Sequence, residues 1–148
     1  MTLNCNGKII DFSTKKIMGI VNISQDSFYD GGKFNTIKKV NSHVSNLISN
    51  GADIIDLGAA SSKPGSNLIK PDDEHNLVDD YINELTSNFK NVLFSIDTYN
   101  SSVADFALSK GFSFVNDISS GKYDEKMFEI VKKYNAGYIM MHMQGDPI

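Results

Sequence analysis

The chain has 148 residues, 41% hydrophobic and 22% charged, which is the balance of a soluble globular domain and excludes a disordered tail, a fibre or a membrane protein. A net charge of -4 provides no basic stripe to neutralise a phosphate backbone, which sets nucleic acid aside as a partner. Cys5 stands alone, so no intrachain disulfide or multi-cysteine metal site can form, and no apolar run approaches the roughly 20 residues that span a bilayer; a cytoplasmic protein acting on small molecules is expected.

Residues 1–16 read as an N-terminal hairpin that turns at Asn6-Gly7. From there, short apolar strands alternate with amphipathic helices. Strands are predicted over 17–23, 53–58, 92–97, 114–118 and 137–142, their mostly apolar content suiting strands buried on both faces. The first helix sets Ile37, Val40, Val44, Leu47 and Ile48 on one stripe and stops at Gly51. The second opens on Pro71 and Asp72-Asp73-Glu74, a start that the helix dipole favours, with Leu77, Val78, Tyr81, Ile82 and Leu85 as its apolar face. A third covers 101–110 before Gly111, and a fourth covers 124–135 with Met127, Ile130, Val131 and Tyr134 inward. His43 and His75 fall on helices and are expected to face solvent. Strict β-α alternation implies a parallel sheet, doubly wound or a (β/α) barrel, between which periodicity does not choose.

In both architectures chemistry sits at the carboxyl ends of the strands. Every predicted strand delivers a polar group there: Asn22, then the loop through Ser61-Ser62-Lys63-Pro64-Gly65, then Asp97-Thr98, Asn116-Asp117 and His142. A solely structural strand needs none, and buried polar groups without partners are costly. The ordinary role of Asp97-Thr98 and Asn116-Asp117 is to cap the next turn, which accounts for one residue of each pair. Asn22 as a turn residue and His142 as a core histidine are the ordinary alternatives. Ser62-Lys63 with Gly65 suits an anion. No Walker loop, GxGxxG or HExxH occurs.

Taken in order, these strand ends resemble dihydropteroate synthase: Met18-Gly19-Ile20-Val21-Asn22 with Asp26-Ser27-Phe28 and Gly31-Gly32, then Gly51-Ala52-Asp53-Ile54-Ile55-Asp56-Leu57-Gly58. Next come Ser61-Ser62-Lys63-Pro64-Gly65, Ser95-Ile96-Asp97-Thr98, Val115-Asn116-Asp117-Ile118 and Met141-His142-Met143-Gln144-Gly145. The resemblance implies a (β/α)8 TIM barrel, of which residues 1–148 carry about the first five strands as the N-terminal part of one pterin-binding domain. It implies condensation of dihydropterin pyrophosphate with 4-aminobenzoate to dihydropteroate and pyrophosphate, in folate biosynthesis.

Asn22 matches the position associated with Mg²⁺, and Asp97 and Asn116 match pterin-ring contacts. Ser62 and Lys63 match pyrophosphate contacts, with lysine where arginine is usual. Phe28 and Pro64 match loops that enclose aminobenzoate, and Ile118 and Met141 match pterin-pocket positions. The assembly that the resemblance allows for the full-length protein is a homodimer. A TIM barrel takes about 250 residues and eight strands, and the family's sixth-strand aspartate, seventh-strand lysine and eighth-strand Arg-x-His have no counterpart among these 148 residues. The isolated chain is therefore expected to turn over little or nothing. The alternatives are a non-catalytic pterin-binding or assembly half-barrel completed by a partner chain, and a truncated, inactive fragment.

Overall fold

The computed structural model describes residues 1–23, 37–59 and 68–142. Strand β1 (Thr2–Cys5) pairs antiparallel with β2 (Lys8–Asp11), and both turn residues, Asn6 and Gly7, have positive φ, as a tight hairpin requires. Then follow β3 (Met18–Asn22), α1 (Ile37–Ser49), β4 (Ile54–Gly58), α2 (Pro71–Asn88), β5 (Leu93–Asp97), α3 (Ser101–Ser109), β6 (Phe114–Asp117), α4 (Met127–Tyr134) and β7 (Gly137–Met140).

The five later strands form one parallel sheet in the order β3-β4-β5-β6-β7. Each strand therefore lies beside its predecessor and the winding never reverses. A doubly wound sheet needs a reversal, so the choice that periodicity left open falls to a partial α/β barrel.

Two cores result. On the helical side, Val21, Ile55, Leu57, Phe94, Ile96 and Val115 from the strands meet Val44, Val78, Ile82, Leu85, Ala107 and Leu108 from the helices. On the inner side, near the amino ends of the strands, Cys5 and Ile10 of the hairpin pack with Ile54 and Phe114. The hairpin is fastened by Asn6, whose amide donates to the carbonyls of Leu108 and Phe112 at 2.9 and 2.7 Å.

Burial on both faces holds for β4, all five of whose residues are buried, but not for β3, which alternates buried and exposed. Among the described residues β3 and β7 each pair on one side alone, and Ile20 is left 69% exposed.

Two local expectations need correction. Helix α4 starts at Met127 rather than 124, because Asp124 is engaged as a cap: its Oδ2 accepts from the backbone N–H of Ser101 at the start of α3 and its Oδ1 from that of Lys126. His43 and His75 are half-buried, and the His75 ring packs 4.5 Å from that of Phe106. Glu74 lies in the acidic first turn of α2, as expected, and has no exposed surface.

Candidate active site

Strand register creates the site. Asn22 lies opposite Gly58, Gly58 opposite Asp97, and Asp97 opposite Asn116, so the last inward-facing positions of β3, β4, β5 and β6 form one row. Three of the four carry the polar groups expected from the strand ends. The fourth, Gly58, leaves space: a Cβ built there would stand 3.2 Å from both Cβ and Oδ2 of Asp97.

Two residues before Gly58 on β4 lies Asp56, opposite Ser95, 3% exposed. The Asn116 amide Nδ2 reaches across β5 and donates to Asp56 Oδ2 at 2.9 Å, whereas Asp56 Oδ1 has no hydrogen-bond partner among the described residues. Asn116 is half-buried, so its amide is oriented by a carboxylate beneath it and its oxygen is left for other partners.

Each polar pair divides its labour. Thr98 Oγ1 accepts from the backbone N–H of Asn100 and donates to Glu74 Oε2 at 2.9 Å, while Asp97, its neighbour, turns to the row. Asp117 is fully buried and structural. Its Oδ1 accepts from the N–H and Oγ of Ser119, and its Oδ2 accepts from the N–H of Gly121 and the phenol of Tyr138. This pins the loop after β6, in which Ser120 and Gly121 have positive φ. Neither residue caps a helix, but turn hydrogen bonds engage Thr98 and Asp117 and leave Asp97 and Asn116 to the row.

The electrostatics of the row follow from burial of like charges. The Asp97 carboxyl is pushed up to about 7, first by burial and then by the negative charges of Asp56, Glu74 and Asp117. Burial also raises the Asp56 carboxyl, against opposing pulls from the Ser95 hydroxyl and the Asn116 amide, and raises Glu74 against the pull of Asn100 and Thr98. Near neutral pH the site therefore holds an acid poised between its two states and close to three other buried carboxyls, Asp56, Glu74 and Asp117. A ligand that brings N–H donors or positive charge would draw Asp97 into its ionised form.

The remaining expected residues divide. Asn22 is exposed at the end of β3, and Ile118 is half-buried just past β6. Met141 lies after β7 and lines a cavity of about 350 Å³ with Ser119, Ser120, Lys122, Met140 and His142. Its carbonyl accepts from Ser120 Oγ at 2.6 Å. His142, there, is exposed and not a core histidine. Phe28, Ser62, Lys63 and Pro64 lie outside the described residues. Two groups were missed: Asp56, whose signal is a carboxylate inside the apolar run Ile54-Ile55-Asp56-Leu57, and Glu74, whose signal is a carboxylate four residues before Val78 on an apolar stripe.

Comparison with known proteins gives one consistent answer. Residues 18–148 match the family model described as pterin binding enzyme. The dihydropteroate synthase of Streptococcus pyogenes serotype M1 is 39% identical over 142 residues, spanning 96% of this chain and 53% of that protein. The mitochondrial folate synthesis bifunctional protein of Arabidopsis thaliana is 41% identical over 143 residues, 95% of this chain and 26% of that protein. Among solved structures, Yersinia pestis dihydropteroate synthase in complex with a sulfonamide drug superposes with a TM-score of 0.88 at 33% identity, covering 99% of this chain and 53% of that one. The Xanthomonas albilineans enzyme with 4-aminobenzoic acid gives 0.84 at 30% identity, covering 98% and 52%. The chain spans about half the length of the dihydropteroate synthases it matches.

Proposed function

Since the chain belongs to the pterin binding enzyme family, we propose that the full-length protein is a dihydropteroate synthase and that this chain provides the strands that read the pterin. The observation that carries the proposal is the row Asn22, Gly58, Asp97, Asn116, with its gap at glycine and its poised carboxyl.

In this reading the flat pterin ring enters above the row. The Asp97 carboxylate accepts from ring N–H donors, and Asn116, steadied by Asp56, offers its amide oxygen. The bond between the methylene carbon and the pyrophosphate oxygen breaks largely first. Positive charge then spreads over the pterin while the amine of 4-aminobenzoate takes the carbon. An ionised Asp97 favours that charge by direct attraction, so stabilisation grows as the bond breaks.

The leaving pyrophosphate needs its own counter-charge. Asn22 offers one amide oxygen at the rim of the row, and among the described residues no group of three His, Cys, Asp or Glu could hold a metal unaided. One protein oxygen fits Mg²⁺, which keeps waters and leans on substrate phosphates; when bound, the ion would offset charge on the departing anion. Reaction in the cytoplasm and assembly as a homodimer belong to the same proposal. No helix among the described residues is long and apolar enough to cross a membrane.

The test is equilibrium binding of 6-hydroxymethyl-7,8-dihydropterin pyrophosphate to the full-length protein, together with dihydropteroate formation. Asn116→Ala and Asp97→Ala are each expected to weaken binding about tenfold or more, since each removes a hydrogen bond made in a desolvated pocket. Pterin affinity unchanged in both variants would sink the proposal. The half-barrel completed by a separate chain is the second reading, favoured by the exposure of Ile20; co-purification of a distinct polypeptide essential for turnover would select it.

A further inference from the structure

Glu74 breaks the pattern of its own helix. It precedes Val78 by four residues, Ile82 by eight and Leu85 by eleven, and all four side chains share one stripe with no exposed surface. At such a position an aliphatic residue would serve packing better, because a buried carboxylate is costly unless its oxygens are bonded. Glu74 meets that condition on one oxygen alone. Its Oε2 accepts from Thr98 Oγ1 and from Asn100 Nδ2, and its Oε1 has no hydrogen-bond partner among the described residues.

The two donors belong to the turn that leaves β5 directly after Asp97. Within it, the backbone N–H of Asn100 donates to Thr98 Oγ1 at 3.0 Å. The backbone N–H of Thr98 donates to the carbonyl of Asn116, also at 3.0 Å. A single carboxylate oxygen on α2 therefore grips a turn that is itself bonded to the end of β6. Asp97 and Asn116, the two ring-reading groups, sit at the two ends of that connection. A residue that violates its local rule with no gain in packing is expected to support a site.

Resting on the pterin reading above, we propose that Glu74 is a positioning residue that, from the helical layer, locks the turn after Asp97 and so holds the Asp97 carboxyl and the Asn116 amide at the spacing a pterin ring requires. It touches neither substrate nor reacting atoms. Its role is to remove the freedom of the turn before the ligand arrives, which is the general source of preorganised affinity.

Two variants of the full-length protein separate this from a packing role. Glu74→Gln keeps an acceptor oxygen for Thr98 and Asn100; Glu74→Leu completes the apolar stripe and removes the acceptor. In Glu74→Leu, amide hydrogen exchange at Thr98 and Asn100 is expected to accelerate about tenfold, with Phe94 and Ile96 of β5 unchanged, and dihydropterin pyrophosphate affinity to fall about tenfold. Glu74→Gln should stay within about threefold of the parent on both measures. Unchanged exchange at Thr98 and Asn100 in Glu74→Leu overturns the lock. So does acceleration spread evenly over β5, or local acceleration with undiminished pterin affinity. A parent protein with no pterin affinity refutes the functional reading instead, and the exchange data, which need no ligand, still decide whether Glu74 holds the turn.

Discussion

Asp97 is the residue on which chemistry and stability pull in opposite directions. Burial and the neighbouring Asp56, Glu74 and Asp117 charges raise its carboxyl to about 7. A carboxyl raised above its unfolded value near 3.8 stabilises the fold below that value, and the contribution is lost as pH climbs through the folded value. Between about pH 4 and 7, then, ionising Asp97 works against the folded state. Asp97→Asn should leave the thermal midpoint almost unchanged at about pH 3, below both values, and raise it at pH 8, by on the order of 2–4 °C for each kcal/mol of repulsion removed. Thermal melts at the two pH values check this, and an equal shift at both would count against charge as the cause. On the proposed reading the same substitution keeps one acceptor oxygen but turns the other into an amide donor and removes the negative charge, a trade of stability for function of the kind active sites commonly show.

At the scale of elements, the decisive feature is strand β4. It is buried along its whole length, which is what an interior parallel strand requires, yet it contains Asp56 and ends in Gly58. Both departures from an aliphatic run serve the neighbouring strands. Asp56 orients the amide of Asn116 on β6, and Gly58 makes room for the carboxyl of Asp97 on β5. Gly58→Ala is therefore expected to leave the fold intact but displace Asp97, weakening pterin binding by about tenfold. Calorimetric titration of the variant measures this, and parent-like affinity would mean that Asp97 has space to move aside. Helix α2 shows the same economy, since Glu74 sits on its packing stripe and serves the turn after β5.

For the whole molecule, the five-stranded sheet has a covered side and an open one. Helices bury the outer face, and the hairpin closes the inner face near the amino ends of the strands. Nearer the carboxyl ends, Ile20 is 69% exposed on the inner face of β3, and Met140, 58% exposed, lies on the opposite face of β7; these two strands pair on one side only among the described residues. An apolar surface beside unpaired strand edges favours association. Residues 1–148 prepared alone are expected to self-associate at micromolar concentration, and Ile20→Lys to reduce that association. Sedimentation velocity checks both, and a monomer indifferent to the substitution would mean that the open face does not drive association.

Much of this was legible along the chain, because alternation of apolar runs and helical stripes is a local property that each segment carries by itself. The five strands, the four helices and the polar groups Asn22, Asp97 and Asn116 at strand ends could all be read that way. Two matters could not, and both concern distance between segments. Whether the sheet is wound in sequential order or reverses depends on which strands pair, which no single segment encodes. The partners of buried carboxyls are likewise set only when strands come into register. Asp56 looks like a flaw in β4 until Asn116 is placed 2.9 Å away, and Glu74 looks like an ordinary acidic helix start until Thr98 and Asn100 close on it. Patterning specifies which faces are buried; only packing decides what a buried charge is for.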